Sequence, residues 1–263
     1  MTITEAHREF KFRYDKNDAL NYPNYEPEEI DLILNYAQDR IVKQRYGLNN
    51  LKRQSFEETQ KRIEDLRELI RHTVATPVSA KIDNLSNSSY NVELSNDHWF
   101  TIWEKAIISV PGCNTSIRVP LRSYYANQTL EEAQAASGGG GASDEINAYY
   151  TVTGKEVEVI PVTHVELEKI KDDAFKGPDK RKILRLMYRN RVELIPNDAH
   201  TVVKYIYRYI KKPTPVDINT DVTFELSDHL HSEIIDEAVT IALEGTEAKR
   251  LGTFKQFIDN LKE

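Results

Sequence analysis

Residues 27–47 read PEEIDLILNYAQDRIVKQRYG, and the architecture follows from them. Pro27 suits the first turn of a helix, where its missing N–H would have no partner anyway. Glu28, Glu29 and Asp31 place negative charge at the positive end of the helix dipole. Ile30, Ile33, Leu34, Ala37 and Ile41 recur at helical spacing, so one face is apolar and needs cover. Gly47, after Arg45 and Tyr46, is a stop. The same pattern returns near the other end of the chain. Ile234, Ile235, Ala238, Val239, Ile241 and Ala242 precede a break at Gly245, and Leu251, Phe254, Phe257, Ile258 and Leu261 carry it on. Neither end can bury its stripe alone, so the two are expected to share one helical unit.

A second helix is expected after Gly47. Ser55 and Glu58 make a candidate capping box. Phe56, Thr59, Ile63, Leu66 and Ile70 step by 3, 4, 3 and 4, a narrow seam suited to one neighbour. Lys61, Arg62, Glu64, Asp65, Arg67 and Glu68 read as a solvated face. Thr76-Pro77 ends the helical region.

From Val78 to Leu226 the chain changes to short β-rich runs bounded by turn residues. These are residues 90–94, 116–121, 148–152 and 156–162, with 99–110 fitting either a strand or a helix. Residues 192–195 and 202–210 are expected to pair through Pro196-Asn197-Asp198. Along the latter run, Tyr205, Tyr207 and Tyr209 share one face and Ile206, Arg208 and Ile210 the other. Residues 128–145 are low in complexity, and Gly138 to Gly141 make residues 134–145 a flexible loop. No Gly-Lys-Ser/Thr follows, so this is not a phosphate loop. The expected fold class is α+β. Its parts are an N-terminal arm (1–26), a helical connector unit (27–76 with 227–263) and an inserted β-rich domain (77–226).

The 263 residues allow one large domain or two small ones. A formal net charge of −7 argues against a basic nucleic-acid binder. A single cysteine, Cys113, excludes an intramolecular disulfide and a cysteine-cluster zinc site. No run approaches the ~18 apolar residues of a membrane span. The opening MTITEAHREFKFRYDKND lacks the apolar centre of a secretory signal, so synthesis in the cytoplasm is expected.

Chemistry is sparse. Asp228-His229-x-His231-x-Glu233 has metal-ligand residue types, but its spacing is not that of His-Glu-x-x-His, and capping of the following helix explains it as well. There is no nucleophile elbow, Walker motif or dinucleotide-binding glycine pattern. No cofactor, metal site or catalytic constellation is expected. Charge, however, is segregated. Lys169 to Arg191 holds nine basic and three acidic residues, whereas Asp217 to the end holds eleven acidic and four basic. The candidate inter-subunit or channel-facing residues are Lys176, Lys180, Arg181, Lys182 and Arg185. Ordinary solvated charge, head-to-tail contact between copies and a nucleic-acid groove are the open readings of this segment.

Several segments resemble a structural protein of crAss-like tailed bacteriophages. They are residues 27–47, residues 56–67, Pro161-Val-Thr-His-Val-Glu166, Asp173-Ala-Phe-Lys-Gly-Pro178, Tyr209-Ile-Lys-Lys-Pro213-x-Pro215 and residues 226–239. The sequence departs from that pattern at Ala174, where the family has Pro, and in the glycine-rich insert. The resemblance implies a virion neck protein with no catalytic site. Such proteins form homo-oligomeric rings, usually of twelve copies, stacked between the portal protein and the tail with other ring proteins. They join capsid to tail and line the channel through which DNA passes without sequence specificity. A DNA-binding accessory protein acting through residues 169–191, and a metal-dependent hydrolase using residues 228–233, are the alternatives.

Overall fold

The computed structural model describes residues 1–14, 25–47, 57, 59–79, 89–111, 115–120, 149–170, 173, 175–197 and 199–245. Ser55, Glu58, Cys113, the glycine-rich loop at 134–145 and the apolar pattern after Gly245 lie outside these residues. The helices are α1 (Ile3–Tyr14), α2 (Pro27–Tyr46), α3 (Gln60–Leu66), α4 (His164–Ile170) and α5 (His231–Gly245). The strands are β1 (Ile70–Ala75), β2 (Val78–Ser79), β3 (Tyr90–Glu93), β4 (His98–Ser109), β5 (Ser116–Pro120), β6 (Tyr149–Thr153), β7 (Lys155–Pro161), β8 (Lys182–Tyr188), β9 (Arg191–Ile195) and β10 (Thr201–Lys211). The chain divides into two units, Met1–Ile70 with Lys212–Glu263, and Arg71–Lys211. The fold is α+β, with helices from both ends of the chain in one unit and a β-rich region between them.

In the helical unit, α2 begins at Pro27, and Glu29 accepts the Glu26 N–H at 2.9 Å. Gly47 closes it by donating to the Lys43 carbonyl at 2.9 Å, with φ at −67, so the stop is extended rather than left-handed. Ile30, Leu34, Ala37, Ile41 and Val42 are buried. They face a core shared with Ile234, Ile235, Ala238, Val239 and Leu243 of α5, which packs against both α2 and α1. Burying each large aliphatic side chain contributes about 1.5–3 kcal/mol relative to leaving it in water. Helix α1 lies in the stretch where the sequence showed no clear period. Its Ile3, Ala6, Phe10 and Tyr14 are buried at helical spacing, between charged residues that mask the pattern.

A polar stripe on α2 holds an extended segment by its backbone. Asp31 accepts from the Ile218 N–H at 3.0 Å. Asn35 accepts from the Val216 N–H at 2.8 Å and donates to the Val216 carbonyl at 3.1 Å. Gln38 donates to the Thr214 carbonyl at 3.3 Å. One helical turn, about 5.4 Å, roughly matches two residues of extended chain, about 6.6 Å, so the stripe reads every second residue. The other oxygen of Asp31 pairs with buried His7 at 2.7 Å.

The second seam is only partly helical. Helix α3 ends at Leu66, a 3-10 turn covers Arg67–Leu69, and Ile70 starts β1. The expected helix to Thr76 is therefore corrected: residues 70–75 pair with β10 instead. Asp65, read as part of a solvated face, is fully buried. It lies 2.7 Å from His229 and 2.7 Å from Arg45, which also pairs with Glu233. A carboxylate so placed must be paired, because desolvating it alone would cost several kcal/mol, of order 3–5.

The β-rich unit is an eight-stranded sheet in the order β1-β10-β4-β7-β8-β9-β3-β2, with β5 and β6 as a separate pair. Residues 99–110 are resolved as strand, since β4 and β10 run antiparallel from Thr201 opposite Ser109 to Lys211 opposite His98. The expected pairing of residues 192–195 with 202–210 is corrected: β9 lies between β8 and β3, and β10 between β1 and β4. The tyrosine alternation holds. Tyr205, Tyr207 and Tyr209 share a core with Ala106, Ile108, Val157, Val159, Ile183, Leu194 and Val92. Strands near both edges of the sheet thus meet around one interior, so the sheet is curled. Ile206 and Ile107 face the other way, under Val152 and Ile117 of the β5–β6 pair. Helix α4 joins parallel strands β7 and β8 and lays Leu167 on Leu184, Leu186 and Ile195.

Gly154 marks where the β5–β6 pair meets β4. Its N–H donates to the Thr115 carbonyl at 2.9 Å. A Cβ there would sit 2.7 Å from both Ile107 Cγ2 and the Ile108 carbonyl oxygen. The backbone oxygen cannot rotate away, so Gly154→Ala should destabilise this unit by about 1–3 kcal/mol. Both tryptophans, Trp99 and Trp103, lie on β4. Tryptophan fluorescence during denaturation therefore reads this unit, and an unchanged midpoint would refute the prediction.

Candidate assembly surface

Residues 163–182 link β7 to β8 and carry most of the candidate basic side chains. Helix α4 opens with a reciprocal cap: Thr163 N–H donates to Glu166 at 3.0 Å, and Glu166 N–H donates to the Thr163 hydroxyl at 3.3 Å. Beyond α4, the Asp173 carboxylate accepts from the N–H groups of Phe175 (2.7 Å) and Lys176 (3.1 Å). Its carbonyl accepts from Gly177 at 2.8 Å. Asp179 repeats the device, accepting from Arg181 at 2.6 Å and Lys182 at 3.0 Å. Lys182 Nζ donates to the Phe175 carbonyl at 2.6 Å, and Asn197 to the Pro178 carbonyl at 3.4 Å. These backbone N–H bonds hold both aspartates below the usual carboxylate range. The result is a built turn with Phe175 91% exposed at its tip.

The five candidate residues separate. Lys176, Lys180 and Arg181 are exposed beside Phe175. Lys182 is half-buried, its ammonium spent on the turn. Arg185 points inward, which corrects its grouping with surface charge. It is buried on β8, with Nε 3.1 Å from Glu104 Oε1. Tyr205 donates to the other Glu104 oxygen at 2.6 Å. Burial pushes the Glu104 carboxyl up, against the Tyr205 bond and the Arg185 charge, and burial also raises the Tyr205 phenol. Sequence reasoning missed Phe175. The signal was an aromatic alone in a charged run, flanked by Asp173, Gly177-Pro178 and Asp179, all turn builders.

The acidic C-terminal region is less free than its composition implies. Glu233 pairs with Arg45, Asp236 with Arg13 at 2.7 Å, and Glu237 with Arg40 at 3.0 Å. Glu244 lies 3.8 Å from Arg40. The cluster at 228–233 is used likewise. His229 pairs with Asp65, and His231 donates from Nε2 to the Leu226 carbonyl at 2.9 Å. Asp228 is exposed. Among the described residues, no group of three or more His, Cys, Asp or Glu is placed to hold a metal ion, and no helix is long and apolar enough to cross a membrane.

The family model for phage tail ring protein 3/4 matches residues 1–124 and 142–252. The chain belongs to that family. It is similar to "Ring protein 3" of Bacteroides phage crAss001, at 27% identity over 240 residues that cover 84% of this chain and 86% of the relative. It is also similar to "Ring protein 4/5" of the same phage, at 30% identity over 105 residues, covering 32% of this chain and 44% of the relative. The match makes the chain a structural ring protein of crAss-like phages, not an enzyme. For a ring family, surfaces that meet other chains are the functional sites, and the 173–182 turn is the candidate.

Two predictions follow from these contacts. Arg185→Met or Glu104→Gln should each destabilise the β-rich unit by about 3 kcal/mol, because each leaves a buried partner uncompensated. The double variant should recover most of the loss by tryptophan fluorescence, whereas additive losses would refute the pairing. Asp173→Ala should speed hydrogen exchange at the Phe175 and Lys176 amides several-fold, without moving the global unfolding midpoint. Because Asp173 and Asp179 have lowered folded pKa values, their hold on the turn is complete above the ordinary carboxylate range and is lost as pH falls through the folded values. The wild-type turn should accordingly loosen in acid before the sheet melts.

Proposed function

We propose that copies of this chain close into a ring, of twelve, in the neck of a crAss-like phage virion. The ring stacks with other ring proteins between the portal protein and the tail, joins capsid to tail, and lines the channel through which DNA passes. The chain is made in the host cytoplasm and built into the virion. Family membership across nearly the whole chain carries this reading, since the relatives that match are named as ring proteins. In this reading the helical unit (residues 1–70 with 212–263) is the connector and the β-rich unit (71–211) is its insertion. Lys176, Lys180 and Arg181 face a neighbouring copy or the channel.

Negative-stain images and native mass of the pure protein, alone and with portal protein, should show closed rings. A chain that stays monomeric under both conditions would overturn the reading. Replacing Lys176, Lys180 and Arg181 together by Glu should slow or misdirect assembly and leave the fold intact, since all three are exposed. Exposed pairs are each worth roughly 0–1 kcal/mol and are screened beyond about 10 Å at 0.1 M salt, so the effect should be larger in rate than in affinity. Normal assembly with altered DNA content would place these residues on the channel. A variant normal in both would remove them from either role.

A further inference from the structure

Among the described residues the exposed large apolar side chains include Phe12, Val78, Val165, Met187 and Tyr188, and two further features whose flanking charges are of opposite sign. The first is Phe175, 91% exposed on its built turn, beside exposed Lys176, Lys180 and Arg181. The second is on the outer face of α2, where Leu32 and Tyr36, one turn apart, are 53% and 58% exposed. Exposed Glu28 and Glu29 lie about one turn before Leu32, half-buried Asp39 lies three residues after Tyr36, and exposed Arg40, four residues after Tyr36, is offset by Glu237 at 3.0 Å and Glu244 at 3.8 Å. One feature is an aromatic with a basic rim, and the other is an apolar stripe with an acidic rim.

Resting on the ring reading, we propose that Phe175 of one copy seats against Leu32 and Tyr36 of the next. Lys176, Lys180 and Arg181 then oppose Glu28, Glu29 and Asp39. Charge decides the pairing. Turn against turn would bring three cations onto three cations, and stripe against stripe would oppose acidic groups, both costly. Only turn against stripe sets opposite signs together. That contact is heterologous, so it propagates from copy to copy rather than stopping at a dimer, and it makes a ring where the rotation between copies closes. The carboxylates of α5 are poorer complements, because Glu233, Asp236 and Glu237 are already held by Arg45, Arg13 and Arg40. The turn is fixed by side-chain bonds to its own backbone, so docking costs little further ordering. Aromatic anchors in such a setting carry a large share of interface energy.

The test uses the full chain with Cys113→Ser, which removes the native thiol. With Phe175→Cys and Tyr36→Cys on the same chain, mild oxidation of assembled protein should give a covalent ladder up to the full ring. Mixing the two single variants should give linked dimers, and each single variant alone should give none. Phe175→Ala and Leu32→Ala should each raise the concentration at half-assembly about tenfold or more, with unchanged unfolding midpoints. Lys180→Glu with Arg181→Glu should impair assembly, and adding Glu28→Lys with Asp39→Lys should restore it. Rings that form normally with Phe175→Ala and yield no ladder would overturn this contact and leave the ring reading standing. Linkage within either single variant would overturn it in favour of a symmetric contact. Linkage of F175C only to a different ring protein in assembled particles would overturn it in favour of that protein. A wild type that forms no rings removes the ring reading and this contact together.

Discussion

Helix α2 cannot bury its apolar stripe until the chain returns with α5, almost two hundred residues later. Ile30, Leu34, Ala37 and Ile41 are buried, as are Ile234, Ile235, Ala238 and Val239 of α5, which packs on α2. Whatever lies between them must leave and re-enter one helical unit, so the intervening domain has to start and finish at neighbouring points. The strand order meets this requirement, since β1, the first strand, and β10, the last, are adjacent in the sheet. An inserted domain with adjacent ends folds around its own core without pulling its host apart. The polar stripe of α2 adds to the closure. By bonding the backbone of Thr214, Val216 and Ile218, it fixes the residues that follow β10 before α5 begins.

The sequence was most legible where periodicity was local. The Pro27 start, the Gly47 stop and the apolar face of α2 needed only neighbours within a few turns. The tyrosine alternation of β10 was legible because a strand sorts its side chains by parity alone. Partner choice was not legible. Residues 192–195 and 202–210 are close enough for a hairpin, but strand length decided otherwise. Eleven-residue β10 finds a full-length partner in twelve-residue β4, whereas five-residue β9 suits β8 and β3. Residues 70–75 were misread for a related reason. Ile70 continued a helical seam, yet its β-branched followers Thr73 and Val74 had an open edge of β10 to join, which no local pattern encodes.

Charge counting alone left several readings open. Nine basic and eleven acidic residues in two segments fitted solvated charge, contact between copies and a nucleic-acid groove alike. In the folded chain Arg185 serves Glu104 in the sheet interior, Lys182 serves the turn, and most carboxylates of α5 serve arginines of α1 and α2. Composition counts charges, but only geometry says which are already neutralised at short range. Among the described residues of the basic segment, Lys176, Lys180 and Arg181 are exposed together, grouped by a turn rather than spread along a segment.

That grouping matters for a protein whose family forms rings. A head-to-tail contact is repeated at every junction, so any freedom of the docking element enters the closure angle once per copy. A mobile loop would pay its ordering entropy at each interface and blur the rotation that closes the circle. Asp173 and Asp179 remove that freedom in advance: their carboxylates hold the N–H groups of Phe175, Lys176, Arg181 and Lys182, and Lys182 Nζ holds the Phe175 carbonyl. The two aspartates sit in the basic segment but are not part of its charge. They are the scaffold that lets three cations and one aromatic ring be presented at a fixed angle.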